Sequence, residues 1–301
     1  MSTTVTSGEK IKVHSDTPSF LGIVRGELLK ISRQWATWIM LLLWLGIICL
    51  PYLLLLTSPD IKDSLLHNAL PFLYNREEGN LAILRIFSGI FLIVLTASAI
   101  GLEYQLGTIR ILLARGVGRL QLLSAKLLTV TVVGLAILGV GLLLNILLTC
   151  LLVLIVTGNL DALKSLTPAF WSDMRLYVVT IMVSMGVTIL MATAMAVIGR
   201  SLAIGLSVAL IWFPVDNIGT IIMELANRIT HNDFWLNVTA YFLGPNLNTL
   251  SKHVLSGDVQ DIGASPLVKI DSNHILLVVL VYALIFAVTS IVLTWRRDVK
   301  E

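Results

Sequence analysis

Glu103-Tyr-Gln-Leu-Gly-Thr-Ile-Arg110, followed by Arg115, Arg119 and Lys126, is a polar insert between two long apolar runs, Ile83–Leu102 and Leu127–Val156. Across Glu103–Lys126 stand four basic residues and one acid, in a chain of which only 13% is charged. A short basic connector between two runs long enough to cross hydrocarbon marks the cytoplasmic side of a membrane. The contrast therefore decides both the fold class and the orientation.

Working outward, the 301 residues are 56% hydrophobic, with a mean hydropathy of +0.90, well beyond an ordinary soluble domain. A membrane crossing takes about 20 apolar residues. Six stretches meet that length: 36–56, 83–102, 127–156, 177–198, 202–223 and 274–295. The expected fold is all-α and polytopic, with a polar cytoplasmic tail at 1–17 ahead of one transmembrane domain at 18–301. The third run exceeds one crossing, so it tilts or extends into water. With both termini in the cytoplasm, 13 basic residues fall inside and 7 outside, across much longer loops. That asymmetry favours this topology. The polar residues before Pro18 give no sign of a cleaved signal sequence.

Phe20, Leu21, Val24, Leu28, Ile31 and Trp35 recur at helical spacing, with Arg25, Lys30, Arg33 and Gln34 on the other face. Such a segment joined directly to a span reads as an amphipathic helix in the cytoplasmic interface, or else as an extension of the first span. Thr57–Leu81, with Pro59, Pro71 and Arg76-Glu-Glu-Gly79, reads as an outer loop. Glu224–Asn273 reads as a second outer region, carrying short helices on the membrane face. Gly199-Arg200-Ser201 is a tight cytoplasmic turn.

Polar residues within spans are functional candidates. Asp216 follows Phe213-Pro214, and Pro214 interrupts the backbone ladder, so a kinked or re-entrant helix end is expected there. Asp216 then faces a polar cavity or sits at the outer interface. Asn145 is a helix-to-helix hydrogen-bonding residue or a pathway contact. Arg85 is expected to snorkel outward. Ser184, Thr188, Ala192 and Ala196 form a strip of small residues suited to close helix approach, within the chain or between subunits. Cys49 and Cys150 lie inside spans and form no metal pattern. No His-Glu-x-x-His, Gly-x-Ser-x-Gly or Gly-x-x-x-x-Gly-Lys-Ser/Thr occurs, which leaves no zincin site, no nucleophile elbow and no nucleotide-hydrolysing P-loop. Leu255-Ser-Gly257 lacks such a P-loop to partner it. The basic residues lie next to the membrane rather than forming a nucleic-acid surface.

Ala99-Ile-Gly-Leu-Glu103-Tyr-Gln-Leu-Gly107-Thr108-Ile-Arg110, then Leu112-Leu-Ala-Arg115, Arg119 and Leu122-Leu-Ser-Ala-Lys126, resembles the ABC-2 type transporter permeases, of the exporter kind called type V. There a Glu ends the second span, Gly-Thr and a leucine-leucine-small-basic stretch follow, and an Arg and a Lys lead into the third span. Gly116-Val-Gly118 departs from the Pro-Val-Ser common in members. The segment at 18–35 is similar to the family's elbow helix. The resemblance implies a permease in a bacterial plasma membrane, without an ATPase site or cofactor of its own. Two separate ATPase subunits would carry ATP and Mg, and a second permease copy or homologue would complete the pathway. Export of a lipidic, peptide or drug-like substrate is implied. Glu103, Gly107, Thr108, Arg110, Arg115, Arg119 and Lys126 would form the element coupling ATPase to spans. Gly107 permits a sharp turn and Thr108 can cap a helix. The three arginines would meet the ATPase or simply anchor the loop at headgroups. The competing reading is a membrane protein without an ATPase partner, either a secondary transporter or a sensor/assembly subunit. A proton-coupled carrier usually needs several deep ionisable groups, and only Asp216 is arguable.

Overall fold

The computed structural model describes residues 18–254 and 263–296, and among these there are helices and no strands. The polar tail at 1–17, the Leu255-Ser-Gly257 sequence and the terminal Arg297 and Lys300 lie outside the described residues. Six helices are long and apolar enough to cross a membrane: α2 (Trp35–Leu56), α4 (Ala69–Gln105), α6 (Arg119–Thr157), α7 (Pro168–Gly199), α8 (Leu202–Thr230) and α11 (Ser272–Arg296). Around them lie α1 (Phe20–Arg33), α3 (Ile61–His67), α5 (Thr108–Ala114), α9 (Phe234–Thr239) and α10 (Leu243–Val254), with a 3-10 turn at Asp161–Ser165.

The helix α1 is separate from the first span. The Ser19 hydroxyl accepts from Gly22 N at 3.1 Å, capping its start, and Gln34 adopts an extended backbone before α2 begins. The buried face of α1 carries Val24, Glu27 and Ile31, while Leu21 and Leu29 are exposed.

Four spans, α4, α6, α7 and α8, run beyond the expected 83–102, 127–156, 177–198 and 202–223. The residues 69–81 belong to α4 rather than to an outer loop, and Ile61–His67 makes α3. Pro71 sits in the first turn of α4, where its missing N–H has no helical partner to lose. At 1.5 Å per residue, α4 and α6 run about 55–60 Å, so both project beyond a hydrocarbon layer of about 30 Å.

The core is built on α4 and α7, whose apolar segments are the most enclosed of the six. Trp44 of α2, Leu84, Phe91, Leu92 and Leu95 of α4, and Ile137 and Leu138 of α6 pack with Ile181 and Met185 of α7. A second cluster joins Met191, Ala192 and Ala194 of α7 to Leu243, Leu247 and Leu250 of α10 and Ile275 and Val279 of α11. The small-residue strip of α7 is used within the chain. Ala192 and Ala196 are fully buried, and a Cβ on Gly205 of α8 would stand 2.7 Å from the Ala196 Cα. Of the two uses expected of the strip, packing within the chain is the one seen at Ala192 and Ala196.

Pro214 lies inside α8, which continues to Thr230 without a break in its assignment. Of the kinked and re-entrant ends expected there, the re-entrant one is set aside by a 29-residue helix, within which the Asn217 side chain donates to Phe213 O at 2.7 Å.

Candidate functional site

At the end of α4, Leu106 closes the helix and Gly107 takes φ +67°, a left-handed conformation that costs an L side chain about 1–2 kcal/mol. The chain turns there and starts α5. Gly107 itself occupies the cap position, and no side chain bonds the first turn. The expected cap at Thr108 is thus corrected: Thr108 is the first helical residue, too late to cap. A second left-handed glycine, Gly116 at φ +85°, ends the turn after α5. Gln121 Oε1 then accepts from Gly118 N at 3.3 Å as α6 starts.

The short helix is held by its apolar side. Ile109, Val117 and Leu122 are buried together, with Ile23, Tyr104 and Leu112 against them. This cluster joins α1, α4, α5 and the start of α6. The other side is open: Leu106, Arg110, Ile111, Ala114 and Arg115 are exposed. Arg119 turns sideways, its guanidinium donating to Trp295 O at 3.3 Å and tying α6 to the end of α11.

Directly behind this element lies a buried box of charge. Lys126 Nζ stands 2.9 Å from Glu103 Oε1 and 2.8 Å from Glu27 Oε2, and it donates to Ala99 O at 2.8 Å. Lys30 Nζ donates to Glu103 Oε1 at 2.5 Å and lies 3.6 Å from Glu27 Oε2. Two carboxylates and two ammonium groups alternate, so the box is neutral by formal charge. Lys126, Glu27 and Glu103 have side chains less than a tenth exposed, and Lys30 reaches water at 37%. The ammonium of Lys30 titrates above its ordinary value. Partial burial works against the charge, but the bonds to Glu103 and Glu27 outweigh it. The box pins α1, α4 and α6 at one level, immediately behind the α5 turn.

Of the residues singled out in the sequence, Glu103 and Lys126 are brought into contact, Gly107 makes the turn, and Arg110 and Arg115 lie on the exposed side. Glu27 was missed. Its signal was present: it shares the 24, 27, 31 spacing of the α1 face that turns inward.

Away from this end, the polar candidates separate. Asn145 Oδ1 accepts from the Tyr52 hydroxyl, which also lies 3.1 Å from Thr149 Oγ1, so Asn145 links α6 to α2. It also lines a cavity of about 570 Å³ with Glu77, Thr149 and Met174. Asp216 Oδ2 accepts from Gly244 N at 2.8 Å, fastening α8 to the start of α10. Its neighbour Asn217 instead lines a larger cavity of about 710 Å³, between α4, α7, α8 and α10. Asn217 Oδ1 accepts from Ala264 N at 2.8 Å.

Arg85 departs from expectation altogether. It is 6% exposed and points inward to α10, donating to Leu247 O at 2.5 Å and to Asn248 Oδ1 at 2.9 Å. Carbonyl and amide acceptors presented by α10 replace the water that snorkelling would have sought.

The described residues thus form a bundle of six long apolar helices, with a separate helix ahead of the first and a short helix between the second and third. A comparison with curated protein sequences returned no match. The sequence pattern of a family described as "ABC-2 family transporter protein" matches residues 21–299. The match takes in the elbow, all six long helices and the charged box, and the chain belongs to that family.

Proposed function

We propose that this chain is the permease subunit of an ATP-driven exporter, with the exposed side of α5 docking on a separate ATPase subunit and the box behind it carrying the motion to the spans. The single observation that supports this most strongly is the four-residue box of Glu27, Lys30, Glu103 and Lys126. A displacement of α5 acts on α4 through Gly107 and on α6 through Arg119, and the box passes it to α1 in the same plane. Buried charges of this kind lose several kcal/mol when one partner is removed, so the three helices move together rather than apart. Leu106 and Ile111 offer apolar contact to the partner. Arg110 and Arg115 offer charge to carboxylates, and planar guanidinium forks do not exchange freely with lysine. Two ATPase subunits and a second permease copy or a homologous permease complete the transporter, and both termini of this chain face the cytoplasm.

The test is to express the chain with its P-loop partner and measure complex assembly, ATP hydrolysis and transport together for Glu103→Ala, Gly107→Leu and Arg110→Lys. The expected result is assembled complexes in which hydrolysis continues and transport is lost. The isolated chain, freed of contaminating ATPases, should hydrolyse no ATP. Three variants that assemble and transport like the parent would reduce the insert to a basic anchoring loop.

A further inference from the structure

The cavity between α4, α7, α8 and α10 has a polar rim of Arg85, Asn217 and Asn248 beside the Gly263–Ala264 segment, and Ser184 and Thr188 of α7 also line it. Asn248 holds this rim in place, its amide donating to Ala264 O at 2.9 Å and to Asn217 Oδ1 at 3.3 Å. From the rim the wall is apolar, formed by Ile86, Ile90 and Ile93 of α4 facing Leu210 and Phe213 of α8. The hydroxyl of Thr188 on the far wall is already committed to Ser184 O at 2.8 Å.

Arg85 gives the cavity its chemistry. A guanidinium carries five N–H donors, and two are used here, on Leu247 O and Asn248 Oδ1. No carboxylate pairs with it among the described residues. An arginine 94% enclosed, on a span and without a counter-ion, is costly unless an anion joins it. Eight residues separate Arg85 from Ile93 along α4, about 12 Å of apolar wall. The volume of about 710 Å³ lies within the range of small-molecule sites.

We propose that this cavity binds a single-chain anionic amphiphile, with its head group on Arg85 and its alkyl chain along Ile86, Ile90 and Ile93. The free donors of Arg85 meet a carboxylate or phosphate in the forked geometry both favour, and Asn217 and Asn248 border the same head group. A cationic head of equal size meets an uncompensated positive charge. The inference deepens the permease reading by naming a class of cargo and rests on that reading for the meaning of the site. Binding itself needs neither ATP nor the ATPase, so it stands or fails separately from coupling.

The experiment uses the full chain in phosphatidylcholine nanodiscs and a dodecanoate probe with a terminal diazirine, with labelled peptides mapped by mass spectrometry. Labelling is expected on the peptides holding Ile90, Ile93 and Leu210. Dodecanoate and dodecyl phosphate should displace the probe and dodecyltrimethylammonium should not. Arg85→Gln should weaken binding by at least about tenfold, the scale of one lost charge-assisted hydrogen bond. Because Arg85→Gln also disturbs α10, Ile90→Trp is the companion: it fills the tail path, leaves Arg85 and its two acceptors in place, and should abolish labelling with an unchanged melting temperature. Persistence of labelling when phosphatidylglycerol is added supports the single-chain assignment, and loss of labelling would give the site to a two-chain anionic bilayer lipid and overturn it. Equal displacement by the cation, full labelling of Ile90→Trp, labelling confined to other peptides, or no labelling because a second copy of the chain covers the cavity would each overturn the proposal.

Discussion

At the scale of single residues, Lys126 is a tightly constrained charge. Its side chain is 4% exposed and lies between two carboxylates. Lys126→Met leaves Glu27 and Glu103 close together with Lys30 alone to balance them, and should lower stability by about 3 kcal/mol. Adding Glu103→Gln restores neutrality and should recover part of that loss, a non-additivity readable from denaturation in detergent. The lysine at the water-facing corner gives a pH signature. Folding raises the Lys30 pKa above its ordinary 10.5, so its contribution is complete below 10.5 and is lost as pH climbs through the folded value. The melting temperature should fall in that alkaline window and Lys30→Met should flatten the fall, with the slope between about pH 7 and 9 unchanged. Residues also mark how far sequence reading reached. Glu103 announced its need for a partner because a carboxylate ending an apolar run has few alternatives. Its second partner, and Glu27, were hidden because they sit on α1, 73 or more positions away along the chain. Arg85 was misread for the same reason: its acceptors lie 162 and 163 positions away, on a helix whose inward fold leaves no local trace.

At the scale of elements, Gly101 and Gly205 are glycines at which one helix backbone meets another. A Cβ on Gly101 would stand 2.8 Å from the Leu202 Cα, and one on Gly205 would stand 2.7 Å from the Ala196 Cα. Gly139 in α6 has open space around it. Gly205→Ala should therefore destabilise by about 1–3 kcal/mol through overpacking of α7 and α8. Gly139→Ala should be neutral or stabilise by up to about 1 kcal/mol. Comparing the two melting temperatures checks the assignment, and equal effects would count against it. Span cores were legible because runs of 20 or more apolar residues have one stable use in a chain of this composition. Span ends were not. The Arg76–Gly79 stretch is polar enough to read as loop, yet tertiary packing keeps it helical: Glu77 accepts from Thr149 of α6, and Leu73 is buried beside Leu65 and Val153.

For the whole molecule, the placement of charge predicts an orientation that labelling can test. Ala114 closes α5 and Lys164 lies on the turn between α6 and α7; both are exposed, at opposite ends of α6. In a chain with Cys49 and Cys150 replaced by alanine, an impermeant thiol reagent on intact cells should label Lys164→Cys and spare Ala114→Cys. The reverse pattern would invert the topology. The central claim, that α5 docks on an ATPase, is tested most directly by site-specific photo-cross-linking in native membranes. A benzoylphenylalanine in place of Ile111, which is 56% exposed at the tip of the element, should form an adduct with a protein carrying a Gly-x-x-x-x-Gly-Lys-Ser/Thr sequence, identified by mass spectrometry. The same group in place of Leu143, exposed at 70% within the α6 span, should give lipid adducts alone. If Ile111 behaves like Leu143 and captures no such ATPase while the partner is present in the membrane, the coupling account is contradicted.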